Sequence, residues 1–380
     1  MHTPPYPIMS LVCKLLHFNG DFIFPNRSIF QSKMAASVCK NLLQTMKEMI
    51  LQQRRASLYV GAHGYEEELV KKKLQQFPGG SINLSKEDNG IGILILNNPK
   101  LMNAFTGTMM LELQERVTEL ENWKDGKGLI IYGAGNTFCS GSDLNAVKAM
   151  SNSQDGMNMC MFMQNTLTRL MRLPLISVAL VQGKAIGGGA ELTTACDFSL
   201  CYVNYTHIVE AIRLNQNGLC TFSEMCSGSV MHISTEAEVW TNPILRLMAP
   251  GSEIRFVHKH MGLVPGWGGA ARLVRMVGSR AALQLLSGAA RVDPQRALCL
   301  GLSEETLSSS DGTKALEEAQ VWLSQYTEGP ASVIQAVKKV VTVGRELPLE
   351  DALRTEKDIF GTVWGGPANL QALVRRPKHN

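Results

Sequence analysis

Apolar residues first fall into a regular rhythm at Ile91-Gly-Ile-Leu-Ile-Leu96, a run closed by Asn97-Asn98-Pro99, which reads as a strand running into a loop. Thr106 then stands where a helix cap belongs, ahead of Met109, Leu113, Val117 and Leu120 at helical spacing. Gly128-Leu-Ile-Ile-Tyr132 predicts the next strand, followed by a Gly/Ser-rich loop to Gly141. A helix over about residues 157–172 stops at Pro174, and Leu175-Ile-Ser-Val-Ala-Leu-Val181 predicts a buried strand. Gly183 to Gly189 then forms a glycine-rich turn before another helix. Strands alternating with helices, each strand apolar on both sides, predict an α/β fold with a parallel-type sheet covered by helices. Past about Gly268 the pattern turns helical, with segments at 279–288, 294–300, 314–326, 331–343 and 349–360. No sequence repeat is visible.

Two stretches break this rhythm. Residues 1–64 carry Lys14, Arg27, Lys33, Lys40, Lys47, Arg54 and Arg55 against only Asp21 and Glu48. A basic, acid-poor leader of this kind reads either as a mitochondrial transit peptide or as a disordered extension upstream of Met34. Residues 201–247 show neither period and hold Cys201, Cys220 and Cys226. A structureless loop of that length inside a domain is unusual. It reads as sequence foreign to the fold, of the kind a retained intron or spurious exon supplies, ahead of a functional insertion. Loop closure costs grow only logarithmically, so the fold can tolerate it if its ends meet.

Composition narrows the class. The chain has 380 residues, of which 45% are hydrophobic, enough for a sizeable core and against global disorder. Its 37 Lys+Arg and 33 Asp+Glu leave a net charge of +4, too weak to imply nucleic acid, and no basic stripe with aromatics supports such a partner. No apolar run approaches the roughly 18 residues of a membrane span, so no membrane partner is expected. The 9 cysteines are scattered without C-x-x-C spacing, which favours buried thiols over zinc or disulfides. Cys220, Cys226 and His232 would make a poor zinc site, and no metal is expected.

Two loops carry candidate chemistry. Phe138-Cys-Ser-Gly-Ser-Asp-Leu144 and Gly183-Lys-Ala-Ile-Gly-Gly-Gly-Ala-Glu191 each follow a strand and precede a helix, where main-chain N–H groups stabilise anionic oxygens. Neither loop is a nucleotide fingerprint. Gly183 to Gly189 lacks the Lys-Ser/Thr of a phosphate loop, and Phe138 stands where a dinucleotide motif needs its third glycine. A lone glycine triplet is most simply a tight turn; two such loops in sequence favour an oxyanion hole.

Together with Asn98-Pro-Lys-Leu-Met-Asn-Ala104 and Pro265-Gly-Trp-Gly-Gly269, these motifs resemble, in order and spacing, the enoyl-CoA hydratase/isomerase (crotonase) superfamily. The resemblance covers roughly residues 80–200 and 248–370. It implies a crotonase-like spiral of ββα units over 65–273, a C-terminal helical region over 274–380, a trimer or hexamer of identical chains, and acyl-CoA thioester substrates. It places the oxyanion hole at the N–H groups of Ser142 and Gly188. It lays CoA along Lys100, Leu101, Met102, Asn103 and Ala104, with Ser140, Asp143, Leu144, Gly187 and Trp267 at the substrate. Glu191 matches the first acid/base glutamate of the hydratases; the second is absent, and His258 stands in its place, four residues before Gly262.

Adding water across a double bond needs two proton-handling groups, so hydration loses half its apparatus here. Decarboxylation of a malonyl-type thioester needs less: an oxyanion hole for the enolate, an apolar pocket and one proton. His258, Glu191 and water all remain open as its source. The segments Tyr65-Glu-Glu-Glu68, Leu74-Gln-Gln-Phe-Pro-Gly-Gly80, Arg255-Phe-Val-His-Lys259 and Phe360-Gly-Thr-Val-Trp-Gly-Gly-Pro-Ala-Asn-Leu370 resemble a decarboxylating branch of the same superfamily. It implies a metabolite-repair role beside fatty acid metabolism, no cofactor, and the cytosol, with mitochondria as the alternative from the leader. The rival readings are an enoyl-CoA hydratase or isomerase, and an inactive acyl-CoA-binding paralogue disrupted by residues 201–247. Bland readings stand beside the single residues. Glu191 is also a dipole-favourable first-turn acid, His258 a buried structural histidine, Asp143 a helix cap, Trp267 a core ring and Lys100 a solvated lysine.

Overall fold

A computed structural model describes Tyr59 and residues 65–150, 152–197, 247–303, 305–309 and 311–374. The basic extension, apart from Tyr59, and the arrhythmic stretch, apart from Leu247, lie outside the described residues; so do Cys220, Cys226 and His232.

Helix α1 (Glu67–Leu74) leads into strands β1 (Ser81–Lys86) and β2 (Ile91–Asn97), an antiparallel pair with Leu84 opposite Leu94. A short 3-10 turn at Pro99–Leu101 precedes α2 (Gly107–Glu121), capped as expected by Thr106, whose hydroxyl accepts the Met109 N–H at 3.2 Å. Next come β3 (Gly128–Gly133), α3 (Leu144–Ala149), α4 (Ser153–Met171) and β4 (Ile176–Val181). Short β5 (Lys184–Ile186) and α5 (Gly188–Thr193) end the first described stretch. β6 (Leu247–Met248), β7 (Glu253–Arg255) and a 3-10 turn at His258–Met261 open the second. The C-terminal part holds α6 (Gly269–Gly288), α7 (Pro294–Cys299), β8 (Glu305–Thr306) and four more helices. These are α8 (Gly312–Thr327), α9 (Ala331–Glu346), α10 (Leu349–Val363) and α11 (Pro367–Val374).

The main sheet runs β1-β2-β3-β4-β6-β8, parallel throughout after the first pair. Both faces are covered, as the unbroken apolar runs require. Ile91, Ile130, Val178 and Leu180 pack with Ala315, Ala319 and Leu323 of α8. The alternate residues Leu94, Leu129, Ile131, Ala179 and Val181 join the larger core with Met109 and Leu113 of α2 and Phe162 of α4. Each fully buried Val, Leu, Ile, Met or Phe among them is worth about 1.5–3 kcal/mol over its exposed state.

A second, shallower layer lies beyond the ends of these strands. Phe105 bridges Ser142, Cys139 bridges Ala185, β5 pairs with β7, and Ile254 bridges Val292. Each long strand is thus followed by a short one in the second layer and then by a helix. This is the ββα spiral, and the repeat is one of backbone path only.

Several elements differ from the expected ones. Gly183–Gly189 is not a single turn, because β5 occupies its middle. α6 starts at Gly269 rather than 279, and its backbone leaves helical geometry at Gly278 (φ 76°), which hides the first half from a periodicity reading. α1, β1 and α11 were not among the expected elements; β1 alternates only at Ile82 and Leu84, too short a run to stand out. α1 is fixed instead by a close approach: a Cβ on Gly107 would lie 1.8 Å from the Leu74 carbonyl oxygen, so only glycine lets α2 start there.

Candidate active site

The two glycine loops meet at the carboxyl ends of β3 and β4. Gly187 takes φ 56° and turns the chain from β5 into α5. A Cβ on Gly189 would lie 2.2 Å from the Cys139 carbonyl, and one on Gly141 only 3.0 Å from the Gly188 nitrogen. The glycines therefore let two main chains touch, which a simple turn would not need. Gly188 is the first residue of α5, so its N–H has no partner within the helix. At the facing loop, Phe105 N–H donates to Gly141 O (2.8 Å) and Asp143 N–H to Phe105 O (2.9 Å). Successive N–H groups alternate along an extended chain, so the Ser142 N–H points away from this ladder.

The neighbouring rim is tied down by main-chain bonds. Ser140 donates its N–H to Met102 O (2.9 Å) and its hydroxyl to Leu101 O (3.2 Å). Lys100, Leu101 and Met102 are exposed there, while Asn103 and Ala104 are buried. Met102 and Asn103 both have positive φ (51° and 54°), a strained backbone for Met. The Asn103 side chain holds it: Oδ1 accepts Asn98 N–H (2.8 Å), and Nδ2 donates to Ala134 O (2.9 Å) and Thr137 O (2.6 Å). Asn103 thus shapes the rim, with its own polar groups already satisfied. Asp143 caps α3 by accepting Asn145 N–H at 3.2 Å, and Leu144 beside it is exposed.

Glu191 lies in the first turn of α5 at 1% exposure. Its Oε1 accepts Gly266 N–H (3.2 Å) and meets His258 Nε2 (2.9 Å); its Oε2 accepts Trp267 N–H and Gly269 N–H, both at 2.8 Å. The Pro265–Gly269 loop therefore wraps this carboxylate. α4 holds the loop from another side, through Cys160 Sγ–H (2.7 Å) and Gln164 Nε2 (2.9 Å), both donating to Gly266 O. Arg272 of α6 donates to Trp267 O (2.9 Å), Glu191 O (3.2 Å) and Thr194 Oγ1 (2.8 Å). Burial pulls the Arg272 guanidinium down to about 10, against the upward pull of Glu191, so it stays charged at neutral pH and balances Glu191. Trp267 is buried under Gly188, its ring edge-on to Phe105 at 5.5 Å. Burial raises the Cys139 thiol to about 12 and also raises Cys160, so neither is a ready nucleophile.

Ser142, Gly188, Glu191, His258 and Trp267 are thus brought together from four segments, with Lys100–Ala104 and Ser140 along one rim. Arg272, Gln164 and Cys160 complete the scaffold and carry no motif of their own, while Asn98 opens the Asn98–Ala104 motif. Arg272 alone had a signal, as a cation one helical turn past the glycine cluster.

A family model described as enoyl-CoA hydratase/isomerase matches residues 86–214 and 245–365. The chain belongs to the enoyl-CoA hydratase/isomerase family. The two matched blocks part within the stretch that breaks the strand and helix rhythm. An ethylmalonyl-CoA decarboxylase of Gallus gallus is 73% identical over 345 residues, covering 91% of this chain and 100% of that protein. One of Xenopus tropicalis is 57% identical over 347 residues, again covering 91% and 100%. In fold, the chain resembles a Thermobifida fusca protein solved in complex with acetoacetyl-CoA (TM-score 0.55, 20% identity, 78% of this chain and 98% of that one). The crotonase spiral expected from the motifs is the fold of this family.

Proposed function

We propose that this chain decarboxylates ethylmalonyl-CoA, and methylmalonyl-CoA beside it, releasing CO2 and the matching acyl-CoA. The observation that carries the reading is the state of the two family acid/base positions. One is His258, and the other, Glu191, has its acceptor sites filled by loop N–H groups and by that histidine. Hydration needs two groups free to handle protons, and this pair offers no free carboxylate. The high identity to proteins named ethylmalonyl-CoA decarboxylase supports the same conclusion.

In the proposed reaction the thioester oxygen sits between the Ser142 and Gly188 N–H groups. The bond from the α-carbon to the carboxylate breaks, its electron pair forms the thioester enolate, and CO2 leaves. One such donor is typically worth about 3–4 kcal/mol in the transition state. Buried Trp267 and Phe105 lie behind Gly188 and keep that side dry. Lys100–Ala104 and Ser140 lie where CoA would run, with Asp143 and Leu144 at the entrance.

The exposed faces of α9, α10 and α11 support a homo-oligomer, a trimer or hexamer. Leu349, Leu353 and Phe360, with Trp364 beyond, recur at about helical spacing along α10, and all are exposed. The cytosol is the proposed compartment, and removal of a side product of acyl-CoA carboxylation the proposed role. Incubating the full chain with ethylmalonyl-CoA and, separately, crotonyl-CoA tests the reaction. CO2 with butyryl-CoA from the first is the expected result. A 3-hydroxyacyl-CoA from the second without CO2 from the first would replace this reading with hydration.

A further inference from the structure

The geometry points to a division of labour at the site: His258 delivers the proton that quenches the enolate, through its Nδ1, and Glu191 is a positioning residue that never exchanges one. The inference rests on the decarboxylase reading and deepens it.

An ionised carboxylate has two oxygens with about four lone-pair sites and no donor. Glu191 uses all four: Oε1 for His258 Nε2 and Gly266 N–H, Oε2 for Trp267 N–H and Gly269 N–H. Three of these donors are main-chain groups that cannot turn away, so both oxygens are occupied as acceptors.

The same bonds fix the histidine. Because Oε1 can only accept, the 2.9 Å contact requires that Nε2 carry a hydrogen. The other nitrogen, Nδ1, is then the ring's free group: a lone pair when neutral, an N–H donor when charged. Nδ1 is buried and has no hydrogen-bond partner among the described residues. An unpaired buried nitrogen is costly, and a bound substrate is the partner that would satisfy it. Arg272, behind Glu191 on α6, donates to the main-chain carbonyls of Glu191 and Trp267 and makes no hydrogen bond to the ring; Lys259 and His260 beside the histidine are exposed.

The step balances. Departure of CO2 leaves the electron pair on the α-carbon of the enolate. The imidazolium Nδ1–H proton moves to that carbon, restoring the thioester carbonyl and leaving a neutral imidazole. Solvent returns the proton, so each turnover consumes one. Since His258 is held by Glu191, the proton reaches one face of the enolate only.

The test is the stereochemistry of deuterium at the α-carbon of butyryl-CoA formed from ethylmalonyl-CoA in deuterium oxide. Wild type, His258→Gln, His258→Asn and Glu191→Gln are compared, each checked for a retained thermal unfolding midpoint. His258→Gln keeps an amide N–H for Glu191 but removes Nδ1; His258→Asn gives a second route should the first not fold. Wild type is expected to label one face. Each folded histidine variant is expected to label both faces equally and to release CO2 about 100-fold more slowly or worse. Glu191→Gln, with His258 present but unheld, is expected to lose facial preference as well. Single-face labelling by either folded histidine variant would overturn the assignment to His258, and single-face labelling by Glu191→Gln would overturn the positioning role. A wild type that labels both faces overturns both. No CO2 from wild type would instead sink the decarboxylase reading, and this inference with it.

Discussion

Glu191 is 1% exposed and meets four hydrogen-bond donors, whereas Trp364, just past α10, is 68% exposed and rests mainly on Phe360 of the preceding helical turn. The contrast extends to their surroundings. Around Glu191, loops from α4, α5 and α6 satisfy one another's polar groups inside a single chain. Along α10 only Ala352 is buried, and the apolar stripe of the helix faces outward. The contacts around Glu191 are all made within one chain, whereas the C-terminal helices present exposed apolar side chains, the face that the proposed oligomer would cover. Between the two, α9 is anchored by polar contacts. Buried Lys338 pairs with Asp197 and donates to Met171 O (3.1 Å), and Gln335 donates to Lys124 O (2.9 Å) and Gly126 O (2.8 Å).

That anchor is where the comparison breaks most readily. Lys338→Met takes the close cation from Asp197, leaving it the Ser177 hydrogen bonds and Arg345 at 3.9 Å, and should cost about 3–5 kcal/mol in urea unfolding. Burial first, and Arg345 to a lesser degree, push the Lys338 amine below its ordinary value, with Asp197 pulling it back. Next in size is one substitution made in both regions. Leu94→Ala, in the centre of the sheet, should cost about 2–5 kcal/mol, while Leu353→Ala on α10 should cost under about 0.5 kcal/mol in dilute monomer. Equal losses would erase the distinction.

A third variant sharpens it at the level of assembly. Phe360→Glu with Trp364→Glu should leave the far-ultraviolet spectrum unchanged and shift sedimentation to a lighter species. An unchanged sedimentation coefficient would show that α10 is not the contact. The smallest effect belongs to the surface. Lys86 pairs with Glu119 at 2.7 Å and lies 5.6 Å from the centre of the Trp123 ring, and Lys86→Ala should cost less than about 1 kcal/mol. The hydrogen bond from Lys86 lowers the Glu119 carboxyl from its ordinary 4.5. Its stabilisation is therefore full above that value and disappears as pH falls through the lower folded one. In Lys86→Ala the stability-against-pH curve should be flatter across that range.

Much of the fold was legible because period and burial coincide. β2, β3, β4, α2 and α4 each keep one spacing long enough to show a face, and Thr106 marks a helix start that its hydroxyl actually caps. β1 was missed because its alternation in Ser81-Ile-Asn-Leu-Ser-Lys86 rests on two apolar residues only, Ile82 and Leu84, which pair with Leu96 and Leu94 of β2. β5 and β7 have three residues each, too few for any period, so the second layer was invisible. The ββα repeat was expected only through the motif resemblance, because it lies in the path of the chain and the residues along that path do not repeat.

At the site, the sequence alone determined which residue types were present. It placed glycines where main chains must touch, one glutamate in place of two, and a histidine at the vacant position, and from these it argued for enolate chemistry over hydration. Only the tertiary structure decided what those groups are free to do. Glu191 and His258 are 67 positions apart and meet at 2.9 Å, and the N–H groups that fill the carboxylate belong to a loop whose side chains are mostly absent. A hydrogen-bond acceptor's remaining capacity is set by backbone donors brought from elsewhere in the chain, and every residue but proline supplies one whatever its side chain.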